Sequence, residues 1–201
     1  MRYDEGMKHS RVGLFVMTAV LGTFILAGCS STAGRVTSKV TAGNPDDPFS
    51  IEVLSYQDVK ALYGPTFLVN PYMAPSSTLM PVYNDYIVLH LNFNLAEKAH
   101  VLLLKADVSD DRGKVFADYM NRAKFSEFAM QQSPEMANNA LKQNKIDWYY
   151  LPNPIMDMPA GKHQYVLVLV GQHPIPDTAM IRVVASVNDK ITVYAVAAPI
   201  S

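Results

Sequence analysis

Tyr86 to Asn94 reads YIVLHLNFN, and this alternation constrains the fold more than any other stretch. Ile87, Leu89, Leu91 and Phe93 fall on one side of an extended chain, with His90, Asn92 and Asn94 on the other. A period of two in such residues predicts a half-buried strand. Leu95 to Lys98 makes a short polar connection into Ala99 to Val108, AHVLLLKADV. There Leu102, Leu104, Ala106 and Val108 share a face opposite Lys105 and Asp107, and Asp110 to Gly113 (DDRG) forms a turn. Ile146 to Leu151 (IDWYYL) and His163 to Val170 (HQYVLVLV) are two further strand-like runs. Met180 to Val187 and Lys190 to Ala197, parted by Asn188-Asp189, predict a final hairpin. Strands alternating with turns predict a mainly β domain, specifically an antiparallel β-sandwich.

Met158 to Tyr165, MPAGKHQY, resembles the corner that leads into a late strand of immunoglobulin-like and fibronectin-like sandwiches. The resemblance implies a Tyr165 hydroxyl bonded to upstream backbone, with Val166 to Val170 as the strand. One cysteine and one tryptophan cannot supply the Cys…Trp…Cys framework of antibody domains, so an antibody-type domain is not implied. Lys114 to Gln132 places Phe116, Tyr119, Met120 and Ala123 at helical spacing, while Phe125 and Phe128 also suit a short strand or a loop. Ser133-Pro134-Glu135 has an N-cap residue, a first-turn proline and an acidic group for the positive helix end. Met136 to Gln143 would follow as a short helix. The expectation is an immunoglobulin-like sandwich with a short helical insertion, which either carries specificity or covers an open sheet end.

The N-terminus carries a different signal. Val12 to Ala27 is apolar and follows Lys8, His9 and Arg11. As a helix it spans about 24 Å, short of the roughly 30 Å hydrocarbon core of a bilayer. A basic start, a short apolar middle and small residues at the end are the parts of a secretory signal peptide. Asp4 and Glu5 suit such a start poorly and Met7 opens a purely basic MKHSR, so Met1 and Met7 both stand as starts. The run ends Leu26-Ala27-Gly28-Cys29, which resembles the lipobox of bacterial lipoproteins. The resemblance implies a diacylglyceryl group on the Cys29 thiol, cleavage before Cys29 and acylation of the new amino terminus. The thiol is the side chain in this segment nucleophilic enough to take the lipid. Ser30 stands where aspartate would retain such a protein at the inner membrane, which implies export to the outer membrane, facing the periplasm, in a two-membrane envelope. The alternative for Cys29 is a buried cysteine closing an ordinary apolar helix.

The organisation expected is a cleaved signal over 1–28, a lipidated start and flexible linker over 29–48, and the sandwich over 49–201. Ser30 to Pro48, SSTAGRVTSKVTAGNPDDP, has linker composition, and its reach of roughly 25 Å would hold the domain clear of lipid headgroups. With the sole cysteine lipidated no disulfide is possible, so packing must hold the domain together. A net charge of -1 and no basic stripe exclude nucleic acid as an expected partner.

Catalytic and metal patterns do not assemble. His90, His100, His163 and His173 form no i, i+4 pair, although His90 and His100, on consecutive strands, leave a metal pair open. Asp107, Asp110 and Asp111 lack the spacing of a calcium loop, and neither a G-x-S-x-G elbow nor a glycine-rich phosphate loop is present. No catalytic residue, metal or cofactor is therefore expected. Trp148, and Phe67, Tyr72 and Met73 in the proline-rich YGPTFLVNPYMAPSSTLMP, are the candidate partner-binding residues. Core filling is the alternative for Trp148 and Tyr72. The function expected is binding or scaffolding within a cell-envelope assembly, with the membrane reached through Cys29 and an envelope protein as partner. A carbohydrate- or peptidoglycan-binding module is the first alternative and requires an exposed aromatic row including Trp148. A hydrolase is the second and requires a pocket where histidine meets a carboxylate and a hydroxyl.

Overall fold

In the computed structural model, which describes residues 36–73, 86–131, 136–171, 175, 176 and 178–197, the chain is mainly β. Among these residues the strands are β1 Val40–Ala42, β2 Phe49–Val53, β3 Tyr86–Leu95, β4 Ala99–Ser109, β5 Val115–Tyr119, β6 Ile155–Met158, β7 Gly161–Gly171, β8 Met180–Val187 and β9 Lys190–Ala197. The helices are α1 Tyr56–Tyr63, α2 Arg122–Gln131 and α3 Met136–Tyr149.

These strands pair antiparallel into one sheet, ordered β1-β2-β3-β7-β5-β4-β8-β9, with β6 added to β4. The sheet curls until it is nearly a closed barrel. At the seam the Tyr194 hydroxyl of β9 donates to the Phe49 carbonyl of β2 at 2.7 Å, and the two rings lie 5.6 Å apart. Gly43, after β1, has φ +88, and a Cβ there would overlap the Tyr194 hydroxyl, so the turn both needs a left-handed residue and has no room for a side chain.

The alternation of β3 fixes the barrel interior. Ile87, Leu89, Leu91 and Phe93 are buried and stand opposite Leu169, Leu167, Tyr165 and His163 of β7. On the other side Leu89, Leu91 and Phe93 meet Val53, Ile51 and Phe49 of β2. The outer face of the same strands is covered as well. Val88 and His90 of β3 pair with Val168 and Val166 of β7, and all four are buried. Beyond α3, Tyr150 bridges Val166 in parallel, and the Leu151 amide donates to the Val166 carbonyl at 2.9 Å. A central strand buried on both faces explains the unbroken VLVLV of β7.

Several expectations change. Ile146 to Tyr149 closes a helix rather than opening a strand. Ile146 and Tyr150 are four apart and both buried, while Trp148 between them is exposed, so burial follows the helical period despite β-favouring residue types. The helix expected over 136–143 therefore runs on to Tyr149, and its proposed start at 133–135 lies outside the described residues. Lys114 to Gln132 divides into β5 and α2, and Phe125 is a buried helical residue. In β4 the register shifts between Leu103 and Lys105, a bulge that turns Leu104 outward to 53% exposure instead of keeping it with Ala106 and Val108. The linker boundary at 48 is also corrected: Val36 is buried, its carbonyl accepts from the Tyr56 amide at 2.9 Å, and β1 pairs with β2. Among the described residues the compact unit therefore begins at Val36. Tyr165 packs its ring 6.4 Å from that of Phe93, and no hydroxyl bond to upstream backbone is present among the described residues.

The terminal hairpin forms as expected. Asn188 and Asp189 take φ of 49 and 62, the left-handed pair of a tight two-residue turn. The helix α1 was not foreseen. Ser55 caps it by accepting from the Asp58 amide at 3.1 Å, and Asp58 returns the bond from the Ser55 amide at 3.1 Å, a reciprocal capping box.

Candidate functional site

A chain of polar side chains lies between the sheet and α1. Lys39 meets Glu52 at 2.5 Å, Glu52 meets His90 Nδ1 at 3.1 Å, and His90 Nε2 meets the Tyr63 hydroxyl at 2.6 Å. Cross-strand register places Glu52 directly opposite His90. A carboxylate only accepts, so Nδ1–H donates to Glu52 and Nε2 accepts from the Tyr63 hydroxyl. That arrangement suits a neutral imidazole. Burial holds the His90 pKa below its usual 6.5, partly opposed by its bond to Glu52. Burial also pushes the Tyr63 hydroxyl upward, the opposite of an activated nucleophile. The group of carboxylate, histidine and hydroxyl that a hydrolase needs is thus assembled, but Tyr63 and His90 are each buried. Its chemistry is that of a satisfied structural network.

A pH dependence follows from His90. The unfolded chain takes up the proton near pH 6.5 and the folded chain only below that, so the unfolded state binds more protons in this window. The contribution is complete above about pH 6.5 and is lost as pH falls toward the lower folded value. Melting temperatures from pH 8 down to pH 5 are expected to fall in wild type and to fall less in His90→Gln. Equal slopes would remove the assignment.

The other titratable clusters dissolve into local structure. His90 and His100 do not meet, because β7 and β5 separate β3 from β4 in the sheet. His100 pairs with Asp157 at 2.8 Å, and the His163 Nε2–H donates to the Pro159 carbonyl at 2.9 Å. His173 lies outside the described residues. Asp107 is buried against Lys105 at 2.7 Å and accepts from the Ser109 hydroxyl at 3.1 Å, whereas Asp110 caps its turn through the Arg112 and Lys114 amides. No group of three metal-ligating side chains occurs among the described residues.

The four candidate partner-binding residues separate. Tyr72 and Met73, expected as partner-binding residues, are buried in the core instead. Asn70, itself fully buried, pins that loop: its Nδ2 donates to the Val59 and Gly64 carbonyls at 3.0 and 2.8 Å, and its Oδ1 accepts from the Tyr72 amide at 3.0 Å. Tyr72 then enters a layer of rings with Phe125 and Tyr150, its hydroxyl donating to the Lys145 carbonyl at 2.9 Å. Phe67 is half-buried beneath the Lys142 ammonium, 5.9 Å from its ring centre. Trp148 stands out from α3 at 75% exposure. Cys29 lies outside the described residues.

Two surface features remain among the described residues. One is a cavity of about 750 Å³ at the barrel mouth, floored by Phe49, Leu95 and Tyr194 and rimmed by Asp46, Asp47, Glu97 and Lys190. The other is the outer face of β6, β4, β8 and β9. Register lines up Ile155, Leu102, Ser186 and Ile191 in one row and Lys105, Val184 and Val193 in the next. Ile155 is 55% exposed, Ile191 and Val193 are each 62% exposed, and Leu104 joins them from the bulge. The alternation of the final strand carried this signal: KITVYAVA has apolar residues on both of its faces, one more than a barrel wall needs. No family model matches the chain, and no curated protein or solved structure is significantly similar to it.

Proposed function

We propose that the chain is a lipid-anchored envelope protein, attached through Cys29 and facing the periplasm from the outer membrane, that binds or scaffolds a protein partner. The observation that carries the binding role is the aliphatic strip of Leu104, Ile155, Ile191 and Val193, open to solvent across four strands. Aliphatic side chains left exposed on a rigid sheet favour a flat, non-catalytic contact. In finer architectural terms, the curled sheet acts as the two layers of an immunoglobulin-like sandwich do, with opposite walls packed face to face. Support for that is the meeting of β9 with β2 through Tyr194 and Phe49.

The test is in-cell photocrosslinking from a reactive residue at Ile191 or Val193, followed by mass spectrometry. One recurrent envelope protein is expected, and Val193→Lys should weaken its recovery several-fold. A chain recovered alone from both positions rejects the scaffold role. Exposed Trp148 favours glycan binding as a second reading, which predicts a fluorescence response to wall fragments.

A further inference from the structure

We propose that the surface of α1 and α3 bearing Leu62, Leu141 and Trp148 rests on the lipid surface to which the chain is tethered. This rests on lipidation at Cys29. The folded domain begins close to that residue: Val36 is buried and bonded to Tyr56 at the start of α1, leaving seven residues of chain from Cys29. Seven residues reach at most about 25 Å. A domain of this size is about 40 Å across. The side of the domain where α1 starts is therefore held toward the bilayer, in contrast to the clearance that a linker ending at Pro48 would give.

That side carries the residues a headgroup layer accommodates. The C-terminal end of α1 is fixed to α3, since Lys145 Nζ donates to the Tyr63 and Val69 carbonyls at 2.5 and 2.7 Å. The Tyr63 and Tyr149 rings meet at 5.5 Å. Leu141 and Trp148 are seven apart, so they share one flank of α3 with Lys145 between them. Leu62, Leu141, Trp148 and Tyr149 are 58%, 49%, 75% and 43% exposed. Trp and Tyr rings, with lysines such as Lys60 nearby, match the boundary between headgroups and acyl chains. The strip on β4, β6, β8 and β9 is aliphatic instead and lacks those aromatic groups.

Trp148 is the only tryptophan, so it reports its own position. The full lipidated protein is reconstituted in phosphatidylethanolamine–phosphatidylglycerol vesicles, with or without bromine on the acyl chains near the headgroups. The mass of its N-terminal peptide is measured first. Brominated lipid is expected to remove most of the Trp148 emission, and acrylamide quenching should fall several-fold relative to protein stripped of its acyl groups. Leu62→Glu with Leu141→Glu should lose that protection while the protein stays on the vesicles, with its near-ultraviolet dichroism unchanged. Lipidated Cys29 with Trp148 still open to acrylamide overturns this proposal alone. Unmodified Cys29 overturns the anchor and this proposal together. Protection that appears only when an envelope protein is added assigns the surface to protein and likewise overturns it.

Discussion

Cys29→Ser is expected to incorporate no fatty acid in cells fed an alkyne-labelled acyl precursor, and to accumulate as a chain longer by the 28-residue signal. On the proposed anchoring, the Cys29 thiolate attacks the lipid donor and a serine hydroxyl has no equally nucleophilic form to replace it. The effect is expected to be close to all-or-none, because Cys29 is the only cysteine in the sequence. In-gel detection of the label and the mass of the N-terminal peptide read it directly. Equal labelling of Cys29→Ser and wild type would move the anchor elsewhere.

Tyr150→Ala should have the largest effect on stability. Tyr150 is almost fully buried, stacked at 4.9 Å on Phe125, and joins the layer of rings that includes Tyr72. Its hydroxyl donates to the Met120 carbonyl at 2.5 Å and accepts from the Val168 amide at 3.4 Å, so one side chain ties α2's entry, α3's exit and β7 together. Removing the ring is expected to cost about 3–5 kcal/mol, the range for a large aromatic side chain in a core. That corresponds to a fall in melting temperature on the order of 10 °C for a domain of this size. Tyr150→Phe keeps the ring and should cost about 1–2 kcal/mol through the unpaired Met120 carbonyl. Calorimetry on both variants separates packing from hydrogen bonding; an alanine variant melting with wild type would mean that the ring layer can collapse over the gap.

The parts of the fold that could be read in the sequence are those settled locally. β3 shows its period of two, and the β8–β9 hairpin is marked by Asn188-Asp189 between alternating runs. The remainder depended on neighbours far along the chain. Trp148, Tyr149 and Tyr150 favour strands by type, yet Ile146 and Tyr150 are buried by a helix whose inner face meets β7. Val36 and β1 sit in residues of linker composition and gain their order from Tyr56 and β2. The loop of Tyr72 and Met73 is rich in proline and polar residues, but Asn70 satisfies the backbone that would otherwise keep it at the surface. Of the candidate site, Trp148 was visible as a residue but not as a helical one. Of the aliphatic strip, Ile191 and Val193 were marked by the two apolar faces of β9, whereas Leu104 reaches the outer face only through a bulge that the alternation of β4 does not reveal.

The strand order also dictates when this domain can fold. β3 and its main partner β7 are separated by α2, α3 and three strands, β4, β5 and β6, and the seam closes only when β9 meets β2. Contacts of such long sequence separation bear a large loop-closure entropy before they are rewarded, which makes folding slow. A chain emerging N-terminus first cannot complete its barrel until its last hairpin has appeared. Any pause before β8 and β9 emerge leaves the edge of β4 that β8 covers, and the apolar interior behind it, open to aggregation or to a chaperone.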